Sequence, residues 1–238
     1  MIAQRWTEHS KSRIYSNRLS TNQALVEYMK AQDKPPELFI SVSAVGYYGT
    51  HNLKTFTETD VPESYNGSFS TALCDAWEKE AFHGKAQGIR TVLLRIGPVL
   101  EQEGGMLAKL FPSFCLGLGS QIGDGQQWLS WIDKDNLIEL ILLIIRQESL
   151  KRPVNATSPN PMTNKEFSLA LAGVLSHSCF LKTPEFVFKI IFVQMAEEIM
   201  LNEEKVLPKK AVNYGFQFFL SNNSRITFKN ISTIKCQE

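Results

Sequence analysis

Two short apolar runs, Leu38-Phe39-Ile40-Ser41-Val42-Ser43 and Thr91-Val92-Leu93-Leu94-Arg95-Ile96, constrain the fold of this chain most. Each has the length and the β-branched or leucine-rich content of a strand buried on both faces. Between them, residues 70–85 read as a helix that stops at Gln87-Gly88. Strand, helix, strand in that order predicts a parallel pair joined by a right-handed crossover, and so an α/β fold. A further helix is expected over residues 10–31, with Ile14, Thr21, Leu25, Tyr28 and Met29 on one side. Asp33-Lys34-Pro35-Pro36 ends it, because paired prolines cannot continue a helix. Both helices should cover the two strands.

Beyond Gly97-Pro98 the pattern loosens. Gly104-Gly105 opens a short helix, and the glycine-rich stretch from Gly117 to Gly125 reads as a connecting loop. Trp128-Leu129-Ser130-Trp131-Ile132 is expected to be one strand, followed by Asp133 as a cap and an apolar helix from Asn136 to Arg146. Val154-Asn155-Ala156-Thr157 reads as one more strand. Thr163-Asn164-Lys165-Glu166 is a capping box, and Thr183-Pro184-Glu185 opens another helix. The expected division is an α/β domain over 1–150, with 99–127 contributing to a second lobe, and a smaller helix-rich C-terminal domain over 151–238.

Lys and Arg number 25 against 24 Asp and Glu, a net charge of +1, which gives no electrostatic reason to expect nucleic acid or an anionic membrane as partner. Hydrophobic residues at 43% argue against disorder. The N-terminal residues lack the apolar core of a signal peptide, and no apolar run reaches the ~20 residues needed to span a bilayer. The four cysteines, Cys74, Cys115, Cys179 and Cys236, are scattered with no CxxC pair, which suits a reducing, cytoplasmic setting and suggests no metal site. The four histidines form no HExxH or triad-like pattern and are assigned no role.

Chemistry is expected where the first strand ends. Ligands of open α/β sheets bind beyond the carboxyl edge, which places the Ser43 hydroxyl for contact with a ligand or for capping the turn. Tyr47 and Tyr48 follow as candidate proton donors or as packing residues with satisfied hydroxyls. The turn Ser43-Ala44-Val45-Gly46-Tyr47-Tyr48-Gly49 resembles the S-A-x-G-Y-Y-G signature of an epimerase-like, atypical branch of the short-chain dehydrogenase/reductase superfamily. The likeness runs through Leu94-Arg95-Ile96-Gly97-Pro98-Val99-Leu100, Gly104-Gly105-Met106, Gly117 to Gly125 and Trp131-Ile132. Lys205-Val206-Leu207-Pro208 and Gly215-Phe216-Gln217-Phe218 match the C-terminal domain of that branch, and Trp6 and Arg18 to Thr21 match its upstream helix.

This resemblance implies the C-terminal half of a Rossmann-like, doubly wound parallel sheet plus a substrate lobe. It implies NAD(P) as cofactor, a sugar-nucleotide-like or other hydroxylated small molecule as substrate, and epimerase or oxidoreductase chemistry. Family members begin with a GxxGxxG turn inside βαβ-type units of roughly 30 residues each; the first glycine here is Gly46. The phosphate-binding loop is therefore expected to be absent, and the chain to be truncated at its N-terminus. Catalytic roles fall to Ser43, Tyr47 and Tyr48, and Ser41, Gly97 and Pro98 are assigned to the nicotinamide end of the cofactor. The family's YxxxK pair has one candidate, Tyr65-Asn66-Gly67-Ser68-Phe69, with Phe69 in place of lysine. A catalytically silent binding or regulatory protein, or an inactive remnant, is thus the alternative reading. A homodimer through helices 10–31 and 70–85 is also implied, with Tyr28, Leu73 and Trp77 as candidate surface residues.

Overall fold

The computed structural model describes residues 7–49, 54–62, 68–83, 88–101, 104–184 and 204–219. Its centre is a sheet of three parallel strands in the order β1 (Leu38–Ala44), β3 (Arg90–Ile96) and β8 (Arg152–Ala156). Leu38 pairs with Arg90 and Ala44 with Ile96, while Val92 pairs with Arg152 and Ile96 with Ala156. The two runs expected to be neighbouring parallel strands are so. The third strand lies past the expected domain boundary at 150. Among the described residues β1 is an edge of this sheet, and Val42 is 44% exposed there.

Helices cover both faces. On one side α1 (Glu8–Lys30) sets Val26 and Met29 against Phe39 and Ile89, and α2 (Phe69–Phe82) buries Leu73, Cys74 and Ala81. Asn22 of α1 binds the two layers together, donating to Ser41 Oγ at 3.2 Å and to the Trp77 carbonyl at 3.1 Å. On the other side α4 (Lys134–Arg146) places Leu140 and Ile144 against Val92, Leu94, Val154 and Ala156. The expected cap holds: Asp133 Oδ1 accepts from the backbone N–H groups of Asp135 and Asn136. Of the three residues considered for a dimer surface, Leu73 is core, Trp77 stacks under the Arg18 guanidinium at 4.6 Å, and Tyr28 is 66% exposed.

A second core lies between α3 (Gly105–Cys115) and α5 (Asn164–Val174), built on Leu107, Phe114, Trp131, Phe167 and Leu171. The capping box at α5 forms as expected, with Thr163 Oγ1 accepting from Glu166 N–H and Glu166 Oε2 accepting from Thr163 N–H. Two short pairs frame this lobe: β5 (Ser120–Ile122) with β10 (Leu181–Thr183), parallel, and β6 (Trp128–Leu129) with β9 (Met162–Thr163), antiparallel. The helix expected to open at Thr183 falls from Glu185 on outside the described residues.

One expected strand is in fact two. Trp128-Leu129 pairs with β9, whereas β7 (Ile132–Asp133) pairs with β4 (Val99–Leu100). Ser130 separates them because its own groups are engaged elsewhere: Oγ donates to the Glu204 carbonyl and accepts from Val206 N–H. That contact draws in β11 (Lys205–Val206), which pairs with β2 (Thr55–Phe56) and leads into the short α6 (Lys209–Asn213). Cys74 and Cys179 carry free thiols, whereas Cys115 is disulfide-bonded. No helix among the described residues is long and apolar enough to cross a membrane.

Candidate functional site

The three parallel strands end together, with Ala44, Ile96 and Ala156 in register. Past Ala44 the chain turns at once into a single 3-10 turn, Val45–Tyr48, closed by Gly49 at φ 74°, where a side chain would be strained. Past Ile96 come Gly97 and Pro98. Gly97 is there for close approach: a Cβ on it would lie 1.8 Å from the Ser130 carbonyl oxygen. Its N–H donates to Ala156 O, and Pro98 O accepts from Ile132 N–H at 3.0 Å. These two residues pin the lobe-forming segments to the sheet, at the edge where ligands of such sheets bind.

Ser43 is 4% exposed and its hydroxyl is one of few buried side-chain oxygens here without a hydrogen bond. Its neighbour is the Cys74 thiol, a weak partner at best. Burial pushes that thiol up to about 12, with the Glu78 carboxylate adding to the effect, so Cys74 is inert as a nucleophile. Ser41 lies two residues earlier on the same face, and its hydroxyl accepts from Asn22 deep under α1 and α2. Ser41 thus fastens helix to strand.

Tyr48 and Tyr47, adjacent in sequence, have different environments. Tyr48 is 1% exposed, stacks on Phe56 with ring centroids 5.1 Å apart, and makes two hydrogen bonds through its hydroxyl. It donates to Asn155 Oδ1 at 2.8 Å and accepts from Arg95 at 2.9 Å. Burial pushes its phenol up to about 12 against the pull of Arg95. So enclosed, Tyr48 sits as a packing residue with a satisfied hydroxyl, one of the two readings its sequence allowed. The ring of Tyr47 instead lies beneath the Arg95 guanidinium, 3.4 Å from centroid to carbon, and Arg95 also hydrogen-bonds to its side chain. Burial raises its phenol above the ordinary value, Arg95 pulls it back, and Glu78 and Asp75 raise it further.

Arg95, Glu78, Asn155 and Glu58 were not picked out from the sequence. Arg95 donates to both Glu78 oxygens, at 2.8 and 2.7 Å, with the two side chains 3% and 7% exposed. Burial alone would favour the neutral guanidine, but the Glu78 pairing holds Arg95 well above its ordinary value. Asn155 donates to Leu207 O, and its N–H reaches Glu58 Oε1, which with Oε2 also receives the N–H of Lys210. A signal was available: a charge inside an otherwise apolar central strand demands a buried partner.

The fit of these residues to a dinucleotide is partial. The edge offers a hydroxyl and a close backbone bend for one end of such a molecule. Pyrophosphate needs uncapped N–H groups at a helix start. The helices α1, α2, α4 and α5 spend theirs on Thr7, Ser68, Asp133 and Thr163, whereas α3 opens at Gly104 with no side-chain cap. No set of His, Cys, Asp or Glu among the described residues is grouped to hold a metal. Tyr65 of the YxxxK candidate lies outside the described residues.

Comparisons with known proteins agree with this architecture. A family model described as a domain of unknown function, DUF1731, matches residues 183–221. Epimerase family protein YfhF of Bacillus subtilis is 35% identical over 217 residues, covering 91% of this chain and 70% of that protein. The chloroplastic SDR39U1 homolog of Arabidopsis thaliana is 34% identical, with 91% of this chain and 62% of that protein covered. The crystal structure of human epimerase family protein SDR39U1 (isoform 2) with NADPH has a TM-score of 0.88 at 26% identity, covering 98% of this chain and 79% of that one. A nucleoside-diphosphate sugar epimerase from Corynebacterium glutamicum follows the same fold at TM-score 0.78 and 25% identity, over 97% of this chain and 45% of that one. By identity and coverage, this chain belongs to the epimerase family, the atypical short-chain dehydrogenase/reductase branch that its motifs resemble.

Proposed function

We propose that this chain is an NAD(P)-dependent epimerase or oxidoreductase acting on a sugar-nucleotide-like or other hydroxylated substrate. The Ser43 hydroxyl carries this reading: it is buried at the carboxyl end of β1 with no partner stronger than the Cys74 thiol, and such groups call for an explanation. In this reading Ser43 orients a substrate hydroxyl, Tyr47 exchanges its proton, and Gly97 and Pro98 line the nicotinamide side. The cofactor, when bound, supplies hydride transfer. Support comes from the human relative with NADPH and from the nucleoside-diphosphate sugar epimerase. The silent-binding alternative draws on Phe69 in place of lysine and on the enclosed Tyr48.

Saturation-transfer NMR of the purified chain with NADPH tests the proposal. The expected result is saturation of the nicotinamide protons with little on adenine, at a dissociation constant of about millimolar or weaker, since four of the five long described helices have capped starts and only α3 opens without a side-chain cap, at Gly104. No saturation of the nicotinamide would take the cofactor out of this site and leave the silent-binding reading.

A further inference from the structure

Resting on the proton-transfer role proposed for Tyr47, we infer that Arg95 is the cation that stabilises the Tyr47 phenolate against its burial and the acidic neighbours on α2, held in position by Glu78 and Tyr48. A strand arginine then stands in for the lysine of a YxxxK helix. A phenol of ordinary pKa ~10 is a poor base near neutrality unless a cation stabilises its anion. Arg95 is so placed: its guanidinium carbon is 3.4 Å from the Tyr47 centroid and 4.9 Å from that of Tyr48. In a site that excludes water this attraction to a developing phenolate is larger than at the surface.

The guanidinium cannot drift. Two Glu78 oxygens fix its Nε and Nη2, and the Tyr48 hydroxyl fixes Nη1. Tyr48 is itself tethered to Asn155. Of the two phenols that Arg95 contacts, Tyr47 is therefore the one whose proton is not committed to a short hydrogen bond. The charges facing Tyr47 are Arg95 from β3 and Glu78 and Asp75 from α2. On the side of β2 and β11, Lys54 lies over Phe56, Glu58 acts on Tyr48 and Glu204 acts on Cys74.

An Arg95–Glu78 pair whose charge does not reach the Tyr47 phenol would leave its titration unmoved, and the test uses that difference. The full chain is produced with 3-fluorotyrosine, whose more acidic phenol titrates where the fold persists, and followed by fluorine NMR, with Tyr47→Phe assigning the signal. Arg95→Met is expected to raise the Tyr47 midpoint by about one pH unit or more. Glu78→Gln, which removes a negative charge and keeps an acceptor for Arg95, is expected to lower it. Arg95→Lys should fall between Arg95→Met and the unaltered chain. If Arg95→Met does not fold, Glu78→Gln decides alone. An unmoved midpoint in folded Glu78→Gln, or shifts of the same sign in both variants, overturns the inference. Neither cofactor nor substrate enters this experiment, so its failure is distinct from failure of the NADPH measurement.

Discussion

Arg95 is tolerated in the middle of the sheet only because Glu78, Tyr48 and the Tyr47 ring take up its donors and its charge. The same burial ties stability to pH on the alkaline side. Cys74 and Tyr48 are both held protonated in the fold up to about 12, from ordinary values of 9.0 and 10.0. Each group contributes stability that is fully present below its unfolded pKa and is lost as pH rises through its folded pKa. Stability should therefore fall from about pH 9 towards 12. Urea denaturation across that range should show Tyr48→Phe losing part of the slope above pH 10, roughly 2–3 kcal/mol over two units. An unchanged slope would mean that Tyr48 titrates as it does unfolded. At this scale the sequence revealed Ser43, because strand ends can be read locally. It did not reveal the confinement of Tyr48, which depends on Asn155, 107 residues away.

At the scale of elements, local chemistry set the ends and distant pairing set the middle. Asp133 and the Thr163–Glu166 box were legible because a cap lies within three residues of what it caps. The far end of α4 was not legible, since Arg90 closes it from β3. Its guanidinium donates to the carbonyls of Ile144, Gln147 and Leu150 at 3.0–3.1 Å and to Ile145 at 3.3 Å. Arg90→Met should cost about 2–3 kcal/mol by urea denaturation and speed hydrogen exchange in the last turn of α4. If exchange there is unchanged, the carbonyls hold without Arg90. The split of 128–132 into β6 and β7 was likewise hidden: apolar periodicity tells that a segment is extended, not which strand it joins.

For the whole molecule, the parallel order and the helices on both faces followed from two apolar runs and the segment between them. Association is less determined. Leu73 is spent on the core, but α1 shows Leu25 at 43% and Tyr28 at 66% exposure. We expect the chain to form a two-fold dimer through this face. In sedimentation velocity, Tyr28→Glu should weaken it at least tenfold, ~1.4 kcal/mol. A purified chain that stays monomeric across micromolar concentrations would remove the dimer.

The Glu58 carboxylate is answered by the N–H of Lys210, 152 residues later. A ribosome adding about 5–20 residues per second needs on the order of ten seconds or more to cover that distance. Until then the turn with Tyr47 and Tyr48 is made but its buried carboxylate lacks one of its partners. The nascent chain must pass through that interval with its reactive edge unfinished, exposed to aggregation and in reach of chaperones.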